Sequence, residues 1–298
     1  MSRETEKLFK EFHKHIGDKE FGSGEEASKE LSAFIEKYNA GLSSKDKATN
    51  MTADDYLDMA YEAETEEKSV EYAKKALKED KNCLDAKLLI IQSEGVSEST
   101  KEQLENAIKG ETKRLEKEGW FDKENIGHFY GLLETRPYMR IRWAYIDLLI
   151  EMGKFGKAVS ECEDLIRLNE NDNLGVRDKL MILYAALEDV NSAKALYRKY
   201  NKEGSFSMLY PLALLYYKLD DYNNAKLALK RIISKNEDYK DFLTKGLALS
   251  DDEIHDLLNS GMYRPDTIEE VLLVIRDSSV IVGLAESFNE WAAEECLK

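Results

Sequence analysis

MGKFGKAVSECEDLIRLNEN, residues 152–171, is read by laying two later stretches over it. These are LEDVNSAKALYRKYNKEG (187–204) and KLDDYNNAKLALKRIISKNED (218–238). Each opens on a short turn rich in Gly, Asp or Asn. Each then carries an alanine, at Ala158, Ala193 and Ala225, spaced 35 and then 32 residues apart. Before each turn stands an apolar run: WAYIDLLIEM, LMILYAAL and MLYPLALLYYKL. A helix, a tight turn and a second helix, recurring every ~34 residues, predict an array of stacked helix pairs.

The side chains repeat with the spacing. Two antiparallel helices pass closest near their turn, and an alanine there lets the backbones approach. One helical turn later come Cys162, Tyr197 and Leu229, and three positions further Leu165, Tyr200 and Ile232. The first helices supply Tyr145, Leu180 and Leu212, then Leu149, Tyr184 and Tyr216. One pair cannot bury two such faces alone, whereas a stack of pairs can.

Outward from this centre the pattern loosens. DDYLDMAYEAETEEKSVEYAKKALKEDKN (54–82) carries Leu57, Ala60 and Tyr61 before its turn and Ser69, Ala73, Ala76 and Leu77 after it. CLDAKLLIIQSEG with STKEQLENAIKGETKRLEKEG is a fourth pair. The array is therefore assigned to 51–245, with its best repeats at 139–172, 174–204 and 206–238. Residues 1–50 are expected to form a helical cap and linker. EKLFKEFHKHI is amphipathic through Leu8, Phe9, Phe12 and Ile16. EEASKELSAFIEKYNAG should stop at Gly41, and GLSSKDKATNMT (41–52) reads as a linker. Residues 246–298, from about Leu247 on, should hold two or three capping helices. One of these begins near Thr267, where Thr267-Ile-Glu-Glu has the form of a capping box.

These segments resemble the tetratricopeptide repeat (TPR) family over roughly two thirds of the chain. GHFYGLLETRPYMR, EMGKFGKAVSECEDLIRLNENDNLGVR and KLDDYNNAKLALKRII together are similar to one bacterial TPR-containing subgroup. The proline that often closes a TPR is replaced by Lys81, Glu170 and Glu237. The resemblance implies an all-α, right-handed superhelix of helix pairs whose concave groove binds a protein or peptide segment. On that register the groove candidates are Arg136, Arg140, Trp143 and Asp147, then Asp178 and Ile182, then Tyr210, Leu214, Tyr217 and Lys218. The carboxylate clamp that some TPR grooves use for acidic chaperone tails needs an Asn and a second Lys. Neither has a counterpart here, so that ligand is not carried over.

GHFYGLLETRPYMRIRW (127–143) gathers Arg136, Arg140 and Arg142 in a chain of formal charge -16. Pro137 suits the first turn of a helix, and Thr135 is placed to cap it. Arg136 and Arg140, four apart, share a face with Trp143, while Arg142 points away. Two readings stand. The arginines and the indole form a platform for a carboxylate or a peptide backbone. Alternatively, they pair with carboxylates such as Glu134 and Asp147 and staple neighbouring helices.

Other function classes find little support. The acidic balance argues against nucleic-acid or anionic-membrane binding, which needs Lys and Arg on phosphates. No apolar run approaches a membrane span. MSRETEKLFKEFHKH lacks the apolar core of a signal peptide, so a cytoplasmic protein is expected. Cys83, Cys162 and Cys296 lie far apart without a CxxC, which predicts reduced, structural thiols. His128 with Tyr130 and Glu134 suggests a His-centred hydrolase, but no nucleophile stands at motif spacing. His13 and His15 point about 200° apart on a helix and cannot share a metal. NENDNLGV (169–176) lacks the calcium-loop pattern and reads as a turn. No Walker loop, GxGxxG, GxSxG or HExxH occurs, so no cofactor, metal or catalytic residue is assigned. A peptide-sensing regulator would need a basic helix-turn-helix, which residues 1–50 do not supply. Self-association as a homodimer through the groove aromatics is a further alternative.

Overall fold

The computed structural model describes residues 3–298 except 18, 20, 45–50, 201–203, 247–248, 261–262 and 284–286. The centre of the expected 41–52 linker and the expected cap start at Leu247 therefore lie outside the described residues. The described chain is all-α, with seventeen helices and no strand. It divides into two compact units, Met1–Leu148 and Leu149–Lys298.

The first unit holds α1 (Arg3–Ile16), α2 (Gly24–Ser44), α3 (Ala53–Tyr61), α4 (Glu66–Glu79), α5 (Leu84–Gln92), α6 (Glu98–Lys117) and most of α7 (Arg136–Glu151). Side chains fix where these helices begin. Thr52 and Asp55 form a capping box on α3, Thr65 accepts the Lys68 amide on α4, and Ser97 accepts the Thr100 amide on α6. α4 packs on both α3 and α5, and Leu57, Ala60, Ala73, Ala76 and Ala86 form a buried cluster where alanines allow close approach. Gly41 does not stop α2, which runs on to Ser44. A glycine inside a helix costs only ~1 kcal/mol. Phe121 and Phe129 of the loop before α7 meet each other and Tyr138 of α7 at tilted or edge-on angles, which ties the loop to the helix.

The second unit continues with α8 (Phe155–Leu168), α9 (Val176–Ala186), α10 (Val190–Tyr200), α11 (Phe206–Lys218) and α12 (Tyr222–Lys235). Then come α13 (Glu237–Lys245), α14 (Asp251–Ser260), α15 (Ile268–Asp277), α16 (Ser279–Val282) and α17 (Ser287–Leu297). Among the described residues, four helices thus follow residue 246 where two or three were expected. α9 packs against α8, α10 and α11, and α11 packs against α9, α10 and α12. Ala158, Cys162, Ala193, Tyr197, Ala225 and Leu229 are all buried. So are Leu149, Leu180, Tyr184, Leu212 and Tyr216 on the preceding helices.

Three turns of this unit share one backbone geometry. Gly153, Glu188 and Asp220 adopt positive φ of 69°, 60° and 57°. The next amide in each case reaches back five residues, Lys154 to Leu149, Asp189 to Tyr184 and Asp221 to Tyr216, at 2.8, 2.9 and 2.9 Å. This is the bond that closes a helix through a left-handed residue. The turns recur at the spacing of the alanines. Asp172 sets the start of α9: its buried carboxylate accepts the Val176 and Arg177 amides at 2.7 and 2.9 Å.

α15 starts at Ile268 as expected, but not through a capping box. The Thr267 hydroxyl donates to the Arg264 carbonyl, and Asp238 accepts the Ile268 amide at 2.9 Å. Asn236, fully buried, caps α13 and donates to the Thr267 carbonyl and to Glu270. These bonds pin α15 to the start of α13.

Candidate functional site

Arg136 and Arg140 stand one turn apart at the start of α7, with Pro137 between them in the first turn. Thr135 does not cap this helix with an accepting oxygen; its buried hydroxyl donates to the Phe129 and Leu132 carbonyls. Arg136 is buried. Its Nε donates to the Tyr130 carbonyl at 2.8 Å, and its guanidinium lies 5.4 Å from the Tyr130 ring centre. Arg140 forms a two-pronged contact with Asp85 of α5, Nε to Oδ1 at 2.8 Å and Nη2 to Oδ2 at 2.6 Å. The other side of the same guanidinium holds Glu6 of α1, at 3.0 and 3.3 Å. Arg136 Nη1 lies 3.8 Å from that carboxylate. Two guanidinium groups thus enclose Glu6, which is only 5% exposed. Burial opposes the Arg140 charge, but Asp85 and Glu6 outweigh it and raise its pKa.

The next residue of α1 makes the opposite kind of contact. Lys7 Nζ donates to Asp55 at 2.7 Å and to Asp58 at 3.0 Å, both on α3. Lys10 Nζ reaches Asp54 at 3.5 Å. Burial pushes the Asp55 carboxyl up, but Lys7 and the Thr52 amide and hydroxyl together hold it down to about 2, and the Lys7 pKa is raised in turn. Phe12 is buried and meets Phe34 of α2 at 5.4 Å between ring centres. The face built by α3, α5 and α7 therefore has a basic end and an acidic end, and α1 lies across both. Along its edge runs a cavity of about 360 Å³ lined by Lys10, Asp54, Leu57, Asp85, Arg114 and Pro137, among others.

Arg136 meets the carboxylate of Glu6, and Arg140 those of Glu6 and Asp85. Arg142 is buried over the Tyr138 ring at 5.5 Å. Trp143 and Asp147 are half-buried on α7. Ile182 of α9 is buried. His128 is exposed, and His15 Nε2 lies 3.3 Å from Glu30.

The remaining candidates lie in the second unit. Asp178 accepts from the Ser207 hydroxyl at 2.8 Å, and burial raises its pKa. The repeat register puts Tyr210 and Leu214 on the groove, whereas both are fully buried. The Tyr210 ring stacks on Phe206 and meets Tyr239 and Phe288 edge-on at 6.0 and 5.8 Å, and burial pushes its phenol up to about 12. Tyr217 is half-buried against Phe288 and Trp291 of α17, and its hydroxyl sits 2.8 Å from that of Ser287. The physical reason is that α15 and α17 cover this part of α11, so its aromatics pack on the chain's own C-terminal helices. Lys218 donates to the Ala185 and Ala186 carbonyls at 3.1 and 3.3 Å, where a cation complements the C-terminus of α9.

Glu6, Lys7 and Asp85 were not picked out from the sequence. No local signal marks them: Glu6 is 134 residues from Arg140, and Asp85 is 55. Cys162 is buried at the helix crossing and Cys83 and Cys296 are partly buried, none of the three in a disulfide. Among the described residues no group of three or more His, Cys, Asp or Glu is arranged to hold a metal ion, and no helix is long and apolar enough to cross a membrane. No protein-family model matches this chain, and no curated protein does.

Proposed function

We propose that this chain is a non-enzymatic, cytoplasmic scaffold of tetratricopeptide type, which binds a segment of another protein along the face made by its first helices. The recurring helix pairs and the three turns of one geometry support a superhelix of that kind. One observation carries the functional reading: a helix distant in sequence, α1, is seated on this face through a carboxylate gripped by Arg136 and Arg140. A planar, two-pronged cation selects carboxylates by geometry as well as charge. A face that seats one helix in this way has the chemistry to seat a protein segment.

The test is affinity capture from the source cell's lysate, comparing wild type with Arg140→Gln/Trp143→Ala, with circular dichroism to confirm that both are folded. A protein retained by the wild type and lost by the variant supports the reading. The same retained set on both baits, or none, overturns it.

A further inference from the structure

We infer that α1 occupies in cis the seat of a partner's helix. The face of α3, α5 and α7 is shaped for an amphipathic helix from another protein that carries a carboxylate, followed one and four positions later by basic residues. This inference rests on the binding reading above and specifies its ligand.

Three observations lead to it. First, the face is bipolar: Arg136 and Arg140 take Glu6, while Asp54, Asp55 and Asp58 take Lys7 and Lys10. A helix presenting Glu-Lys-x-x-Lys in the reverse direction does not keep its carboxylate on the arginines with both lysines on the aspartates, so the face reads direction as well as sign. Second, α1 is held by few buried groups. Among its described side chains only Glu6 and Phe12 are buried, and Phe12 meets Phe34 of α2. The Lys7 and Lys10 contacts are partly exposed, and such pairs are weak and screened by salt. Third, α1 does not fill its seat. The cavity of about 360 Å³ beside Lys10 is lined by more acidic than basic residues, Asp54, Asp85, Glu111 and Glu134 among them against Lys10 and Arg114. An arginine in the place of Lys10 is longer and adds donors towards that acidic space.

Attachment through one buried carboxylate, one buried ring and a few partly exposed ion pairs describes an occupant that a better helix displaces. A tethered occupant competes at an effective concentration of roughly millimolar, so a ligand in trans sees only the fraction of molecules with an open face.

The experiment uses a fluorescein-labelled peptide of residues 3–16, RETEKLFKEFHKHI, with fluorescence anisotropy as the readout. It is titrated with the full wild-type chain and with the full chain carrying Glu6→Lys/Lys7→Glu, which unseats α1 and leaves the face intact. We expect the opened chain to bind the peptide about tenfold more tightly than the wild type. A Lys10→Arg peptide should bind more tightly still, and a peptide with the Glu6→Lys/Lys7→Glu exchange should not bind. Equal binding to both chains, or equal binding of native and exchanged peptides, overturns the inference. So does formation of a dimer by the opened chain that the peptide cannot dissociate, because the occupant would then be a second copy. If the double variant is unfolded by circular dichroism, Lys7→Ala replaces it, and absence of any tightening overturns the inference. Failure of lysate capture with intact peptide binding removes the binding reading but not this seat. Successful capture with no peptide binding removes the seat alone.

Discussion

Arg140 and Glu6 meet at 3.0 Å across 134 residues of sequence, and the same guanidinium grips Asp85 from its other side. Removing the cation leaves two poorly solvated carboxylates facing each other, and breaking a buried pair from one side costs about 3 kcal/mol or more. Arg140→Ala should lower stability by about that amount in urea unfolding. Arg140→Lys should recover only part of it, because an ammonium cannot make the two-pronged contact with Asp85. A loss no larger than that of an exposed salt bridge would show that the network contributes little.

The acid limb of stability should carry a signature of Asp55. Its folded pKa, about 2, lies below the ordinary aspartate value of 3.8. Its contribution is therefore present above pH ~4 and is lost as the pH falls towards 2. The difference in thermal midpoint between wild type and Asp55→Asn should be largest near neutrality and should close over that window. A gap that stays constant down to pH 2 would mean that Lys7 and Thr52 do not hold Asp55 ionised in the folded chain.

Glu270 has the opposite sign. Burial raises its pKa above the ordinary 4.5, and the bonds from the Asp266 amide and Asn236 only partly compensate. Its charged form is therefore a liability at neutral pH, relieved as the pH falls through the raised value. Glu270→Gln keeps an oxygen acceptor without the charge. It should match or exceed wild-type stability at pH 7 and lose that advantage on acidification. A large loss at neutral pH would show that the charge itself is required.

Glu188 holds a left-handed backbone, φ 60°, that Gly153 adopts without penalty in the equivalent turn. A non-glycine residue there costs ~1 kcal/mol. Glu188→Gly should raise stability by up to about 1 kcal/mol, less the weak 3.3 Å ion pair with Lys218 that it removes. Denaturant midpoints at unchanged slope measure this directly. A destabilised variant would mean that the backbone entropy of the new glycine outweighs the relieved strain.

Helix identity, the pairing of helices around tight turns and the buried side chains at each crossing were legible from residues 152–238. Those features depend on contacts within about one repeat, so local periodicity carries them: Ala158, Ala193 and Ala225 mark the crossings directly. The extent of α2 and the number of helices after residue 246 were less legible. A single glycine is a weak stop signal, and short helices such as α16 have too few residues to display a period.

The basic island was legible as a cluster, and its partners were not. Arg136 and Arg140 share a face because a helix has 3.6 residues per turn, which holds in any fold. That Glu6 and Asp85 meet them, and that Tyr210 is closed off by Phe288 while Tyr217 stays half-open, depends on how whole helices pack. Contacts between residues 55 to 134 positions apart leave no periodic trace along the chain. Local spacing therefore determined the repeating helices and their buried faces, and tertiary packing decided which faces stay open and which helix covers them.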